Sequence, residues 1–397
     1  MKAYRLIKET TYFASILLVT LGIQSCGSDT LSRLKEGWSN SNRPEIISGS
    51  DMEFTLENLP LEGYTQVKGW SDDYWPSFRG GISYRWQDRA YYYTLPTTDQ
   101  LTSINVARLS PAEKYDYYMG RFDFPTVNAE RSRTQVMRTN RNSPVYDPEY
   151  EIPSWFGLCH GWAPASLNFQ EPKPVTVVAT NGVEVSFGSS DIKALLTYYQ
   201  QYKGNRSVRN YFMSERCNES FLKLDEMFKN EEITEEEYHR RRNEGPCKGV
   251  NAGAFHLVLA NELGIKQKAF IADVTRDAEV WNYPVHSYRT TVLEEKEGTS
   301  ATAAQGTVRE MRVRTNIEHS VSTLPRWTSF QPATKMRTYE YTLEIDEEGK
   351  IIGGEWVSEE RPDFLWRQTL PEFRGYFKAL KTVYELATQD DAIIADN

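Results

Sequence analysis

The sequence predicts an α+β fold. One ground is a set of helices with readable starts and stops: Ser110-Pro111 with Glu113 at the capping-box position, and the apolar run from Asn251 to Gly264. The other is two strand pairs with turn signals, VTVVAT and VEVSF through Asn181-Gly182, and YEYTLEIDEEGKIIGGEWV through Glu348-Gly349. The chain has 397 residues, enough for a sizeable core and for two or three domains.

At the N-terminus, Lys2, Arg5 and Lys8 precede an apolar run from Tyr12 to Ile23 that is short for a membrane span. Residues 1–26 therefore read as a signal peptide. Its end, Ile23 to Cys26, resembles the lipobox of bacterial lipoproteins, which makes Cys26 the lipidation site; ordinary signal cleavage is the alternative. Gly27 and Ser28 lack the aspartate that retains enterobacterial lipoproteins at the inner membrane. The expected address is therefore the outer membrane or cell surface of a Gram-negative bacterium, with a lipid anchor holding the chain there.

Residues 27–60 are polar and aperiodic and read as a flexible tether. Residues 61–108 are rich in Trp, Tyr and Gly and read as an accessory region, either burying its own aromatics or presenting them to a ligand. A catalytic domain is expected over 109–387. It opens with the helix SPAEKYDYYMG, followed by an irregular basic stretch, RSRTQVMRTNRN. Asp191 is read as the cap of DIKALLTYYQQY, and residues 218–246 as an inserted pair of charged helices. The apolar helix ending at Gly264 leads to the strands AFIADV and VWNYPVHSYRTTV, and Pro371 to Ala387 reads as helical.

Net charge is -9 and no basic stripe is present, so nucleic acid is not an expected partner. Phosphate-loop and dinucleotide fingerprints are lacking, as are paired zinc-ligand spacings around Cys159. Metal ligands stay unassigned.

The chemistry concentrates in WFGLCHGWAPAS, Trp155 to Ser166. A thiol at the start of a helix ionises more readily, and the thiolate is the reactive form. Ser154 is read as a cap for that helix, and Gly157 and Gly161 as residues that let chain and substrate approach the sulfur. Of four cysteines, Cys26 is assigned to lipid and Cys217 and Cys247 form a pair around the insertion. Cys159 is left as the unpaired candidate nucleophile, with a buried structural thiol as the alternative.

A cysteine nucleophile needs a base and a group to orient it. Five histidines are available. His239 lies in the charged insertion, His160 is the sequence neighbour of the cysteine and so is read as pointing elsewhere, and His286 and His319 have no nearby acid signal. His256, in GAFH, is the expected base, or else a core histidine. Asp273 is the expected orienting acid, with Asp277, Asn282 and Asp363 in reserve. Trp155, Trp162 and Trp281 are expected either to wall an acyl pocket or to pack the core.

The blocks LSPAEKYD, WFGLCHGWAPA, GAFHLVLAN, FIADVT, VWNYPVHSY, IIGGEW and PDFLW, in that order, resemble the transglutaminase elicitor family of oomycetes and its marine bacterial relatives. The resemblance implies a papain-like core and calcium-dependent protein-glutamine gamma-glutamyltransferase activity on proteins carrying Gln and Lys. Cys159 matches the family nucleophile, and His256 falls inside a matching block. A papain-like protease or amidase, and a non-catalytic surface-binding lipoprotein, are the rival expectations.

Overall fold

Alternation of buried and exposed residues over the last third of the chain builds long strands, and these form the backbone of an α+β fold. The computed structural model describes residues 37–101, 105–204 and 206–389. In chain order the strands are β1 (Glu62–Tyr64), β2 (Val175–Val178), β3 (Glu184–Phe187), β4 (Asn210–Ser214), β5 (Phe270–Asp273), β6 (Asn282–Glu297), β7 (Arg309–Ser320), β8 (Thr334–Ile345), β9 (Ile351–Trp356) and β10 (Phe364–Gln368). The principal helices are α1 (Pro111–Tyr118), α2 (Pro125–Thr134), α3 (Cys159–Asn168), α4 (Ser189–Tyr198), α5 (Phe221–Lys229), α6 (Glu235–Asn243), α7 (Ala252–Val258) and α8 (Leu380–Thr388).

The main sheet runs β4-β10-β5-β6-β7-β8-β9, with β1 added beside β6, and its neighbours are antiparallel. Successive strand side chains face opposite sides, and both sides are covered. Ile271, Phe364 and Trp366 share a core with Trp162 of α3 and Leu195 of α4. The alternate residues Phe270, Ala272 and Leu365 share a second core with Phe255 and Leu257 of α7 and Tyr341 of β8. The sheet therefore separates the two helices that carry Cys159 and His256.

Three close approaches depend on glycine. A Cβ at Gly253 would stand 2.1 Å from the Gly353 carbonyl oxygen, so α7 can lie on β9 only without one. At Gly161 it would stand 2.2 Å from the Thr197 carbonyl oxygen, so this glycine serves the packing of α3 on α4. Gly157 likewise backs onto Tyr74, with 2.6 Å to its carbonyl oxygen. Both glycines seat the helix against protein, a different use from the substrate approach expected of them.

The expected local signals are partly realised. Helix α1 has the full capping box: the Glu113 N–H donates to Ser110 Oγ at 3.2 Å and the Ser110 N–H donates to Glu113 Oε2 at 2.9 Å. Asn251 caps α7 by accepting from the Gly253 and Ala254 N–H groups. Gly182 and Gly349 take positive φ (83° and 78°) in the two hairpin turns. Asp191, by contrast, is not the cap of its helix. Helix α4 starts at Ser189, and Asp191 accepts from the Gly188 N–H while ion-pairing with buried Lys114. Part of the basic stretch read as irregular is helix α2, started by Pro125 in its first turn.

The domain divisions are corrected in two places. From Gly37 onward the expected tether belongs to the folded body: Ile47, Met52, Leu56 and Leu59 are buried in the α7 core, because these apolar residues find a sheet to cover. The aromatic region 61–108 is not separate either, since Trp70, Trp75 and Ile82 lie in the same core as α3. The insertion is a helical pair, α5 and α6, tied off by a disulfide between Cys217 and Cys247. Signal peptide, Cys26 and residues 27–36 lie outside the described residues.

Candidate active site

Helix α3 begins at Cys159 itself. Its N-cap residue is Leu158, which has no capping side chain, so Ser154 does not play that part. Instead the entry is pinned by a neighbouring strap: the Leu158 N–H donates to the Tyr74 carbonyl at 2.6 Å and the Ser77 N–H to the Phe156 carbonyl at 2.7 Å. The Tyr74 hydroxyl donates to the Ser154 carbonyl at 2.8 Å. The first turn of α3 thus leaves its N–H groups beside the sulfur, where the helix dipole is positive.

Cys159 is the free cysteine among the described residues and is 7% exposed. Its Sγ lies 3.6 Å from Asn282 Nδ2, 3.7 Å from the Val280 carbonyl oxygen and 3.9 Å from His160 Nδ1. Burial pushes the thiol up from its usual value, and the nearby Asp273 adds to this. Hydrogen bonds from the Asn282 side chain, the Asn282 backbone and the His160 backbone pull the other way. At rest the sulfur is therefore a thiol with donors already in place for the thiolate.

Asn282 is fully buried at the start of β6, and its amide orientation is set by a second side chain. Trp366 Nε1–H donates to Asn282 Oδ1 at 2.7 Å, which turns Nδ2 toward Cys159 and toward His160 Nδ1 at 3.3 Å. An amide nitrogen only donates, so His160 presents a lone pair at Nδ1 and carries its proton on Nε2. His160 is exposed to solvent as a residue, yet protein crowds it on its inner side; this crowding and the Arg216 charge move it down from the ordinary imidazole value. It is the neutral acceptor that a thiol needs.

The rim is aromatic. Trp281 is half-buried and packs edge-on against Tyr74, with centroids 5.7 Å apart, while its Nε1–H donates to Glu279 Oε2 at 3.1 Å. Trp155, also half-buried, lies under the Arg216 guanidinium at 5.9 Å. Trp162 is 1% exposed and donates to the Trp70 carbonyl at 3.2 Å, so it packs the core.

His256 is not part of this constellation. It is fully buried on the far side of the sheet, its Nδ1 within 2.8 Å of the Tyr341 hydroxyl and its Nε2 without a partner among the described residues. Asp273 is on the Cys159 side of the molecule, with its charge felt by the sulfur, and does not orient His256. Sequence reasoning set His160 aside because neighbours on a helix diverge. At the first residue of a helix, however, the preceding chain is not helical, and the two side chains meet around Asn282. Asn282 itself stood in reserve; Trp366, inside PDFLW, carried no chemical signal.

A model of the transglutaminase elicitor family matches residues 127–375, more than half of the chain and both sides of the site. The chain belongs to that family. Among solved structures it is similar to the crystal structure of the GP42 transglutaminase from Phytophthora sojae. The TM-score is 0.61 and the identity 23%, over 89% of this chain and 99% of that chain. No curated protein matches by sequence. Family and fold support a transglutaminase-like function, and the disulfide fits an exported protein. For the calcium that membership implies, the described residues hold no group of three or more His, Cys, Asp or Glu side chains suited to a metal ion.

Proposed function

We propose that the protein is a protein-glutamine gamma-glutamyltransferase using Cys159 as nucleophile and His160 as its base. The reading is carried by the Trp366–Asn282 hydrogen bond, which sets one amide beside both the sulfur and an imidazole lone pair. As Cys159 attacks the carboxamide carbon of a glutamine side chain, His160 takes the thiol proton. N–H groups at the start of α3 receive the developing oxyanion, a contribution on the order of 3 kcal/mol per donor in comparable sites. Collapse breaks the C–N bond, His160 returns the proton to the leaving ammonia, and a thioester remains. A lysine amine then attacks the thioester, His160 takes the proton the amine gives up and returns it to the departing sulfur, and an isopeptide forms with the thiol regenerated; water in place of the amine gives glutamate.

Trp155 and Trp281 form the walls of the entrance, where they limit water and favour the amine. We assign export and a lipid anchor at Cys26 on the sequence pattern of residues 1–28, and protein substrates bearing Gln and Lys on the chemistry. The deciding experiment is incorporation of a fluorescent primary amine into a glutamine-containing protein. The expected result is incorporation that Cys159→Ser abolishes. Absence of incorporation by the intact protein, with and without added calcium, overturns the proposal, and new N-termini without incorporation select a peptidase.

A further inference from the structure

Beneath the site lie two aspartates that the mechanism leaves unused. Asp273 ends β5 and Asp363 precedes β10; both are 0% exposed. Their backbones are joined by the Asp363 N–H donating to the Asp273 carbonyl at 3.0 Å. Each carboxyl has one oxygen anchored. Asp273 Oδ1 accepts from the Trp281 N–H at 3.2 Å, and Asp363 Oδ2 from the Cys217 N–H at 2.8 Å. The other oxygen of each, Asp273 Oδ2 and Asp363 Oδ1, is buried with no hydrogen-bond partner among the described residues.

Two bare buried carboxylate oxygens on adjoining chain segments, with the Asp363 charge acting on Asp273, are costly, and a single proton held by the pair relieves both the desolvation and the repulsion. We propose that Asp273 and Asp363 share one proton as a buried acid pair, which positions the Val280–Asn282 segment against Cys159 and keeps the resting sulfur protonated. The groups facing the pair agree with this. Asp277 adds negative charge to both. Arg276 and Arg216 are near Asp363 and their charges pull it down, but neither donates to its carboxyl: Arg276 Nη1 goes to the Arg242 and Cys247 carbonyls and Asn243, Arg276 Nε has no partner among the described residues, and Arg216 goes to the Ala278 carbonyl. Burial pushes both aspartates up, Asp363 to about 7 and Asp273 well above the carboxylate range. A neutral thiol resists oxidation better than a thiolate, which suits an unpaired cysteine in an exported protein.

The inference rests on Cys159 as the reactive thiol, but its test does not use transferase activity. The pH dependence of iodoacetamide labelling reads the thiol, and infrared spectroscopy reads the protonated carboxylic acid. With one proton shared, the pair carries one negative charge. Asp273→Asn leaves the single negative charge on Asp363 and none at position 273, the position whose charge raises the thiol, so the labelling midpoint should fall by about one pH unit or more. Asp363→Asn removes the repulsion that raises Asp273 beyond the effect of burial alone, so the midpoint should hardly move while the pH at which the acid carbonyl band disappears should fall by about one unit or more. An unmoved midpoint in Asp273→Asn, or an acid band unchanged by Asp363→Asn, overturns the proposal. If either variant fails to fold, carboxyl-carbon NMR of aspartate-labelled wild-type protein decides: a protonated aspartate persisting at about pH 8 supports the pair, and its absence rejects it.

Discussion

Trp366 holds Asn282 by a 2.7 Å bond from indole N–H to amide oxygen, and this one contact decides which end of the amide meets Cys159. Losing the donor that faces the sulfur should raise the thiol further. Asn282→Ala is expected to slow both iodoacetamide labelling at neutral pH and amine incorporation by about 10- to 100-fold, the scale of one hydrogen bond to a charged group. Trp366→Phe frees the amide without deleting it and should cost roughly 3- to 10-fold, with a similar melting temperature. Equal rates in all three proteins would remove Asn282 from the site.

His160 is expected to matter for proton transfer and little for the fold. His160→Gln should lower the rate constant for amine incorporation by about 10²- to 10⁴-fold. Labelling at high pH, where the thiolate forms unaided, should survive. The sign of the pH effect follows from the lowered imidazole value: the neutral base persists below the ordinary histidine range, so the acid limb of kcat/KM should lie below pH 6.5. A limb at or above that value would mean another group is titrating.

His256 gives the opposite pattern. Burial lowers it to about 4, so between about 6.5 and 4 the unfolded chain takes up a proton that the native protein refuses. Its contribution to stability is lost as pH falls through that window, by roughly 3 kcal/mol at its lower end. Relative to wild type, His256→Gln should therefore gain stability steadily on acidification, as read by urea unfolding at several pH values. Amine incorporation by the folded variant should stay within about threefold of wild type, because the sheet stands between this ring and the sulfur.

How far the chain could be read in advance depended on whether a signal was local. The Ser110–Glu113 box and the two hairpin glycines act within a few residues, and each appears where the sequence marks it. Cys159 was legible through its motif. What gathers Cys159 and His160 around one amide was not, because Asn282 and Trp366 lie 123 and 84 residues away from their partners. The choice of His256 over His160 needed the knowledge that α3 and α7 cover opposite faces of one sheet. No periodicity in either helix contains that fact.

The disulfide should stabilise the protein and hold the insertion against the site. Closing a loop of 30 residues is worth about 3–4 kcal/mol on the chain-entropy account. The Cys217 N–H is also one anchor of Asp363. The double variant Cys217→Ser with Cys247→Ser is expected to lower urea stability by that amount. Its activity should fall several-fold while the fold remains, since the exposed ion pairs of α5 and α6 are each worth about 0–1 kcal/mol and cannot replace the link.

Gly161 offers a test of how tightly the helix that carries Cys159 is seated. In an open helix alanine is preferred to glycine by about 1 kcal/mol, so Gly161→Ala would stabilise α3 if nothing stood beside it. Here the new methyl would meet the Thr197 carbonyl oxygen at 2.2 Å and the Gln201 Cβ at 2.9 Å. The first of these is backbone and cannot swing away, so α3 and α4 must separate, at a cost of about 1–3 kcal/mol. Separation also shifts the first turn of α3, two residues upstream, against Asn282. The expected outcome is a lower melting temperature together with a drop in thiol labelling at neutral pH, whereas Gly182→Ala, in an exposed turn with nothing within 4 Å, should affect stability alone.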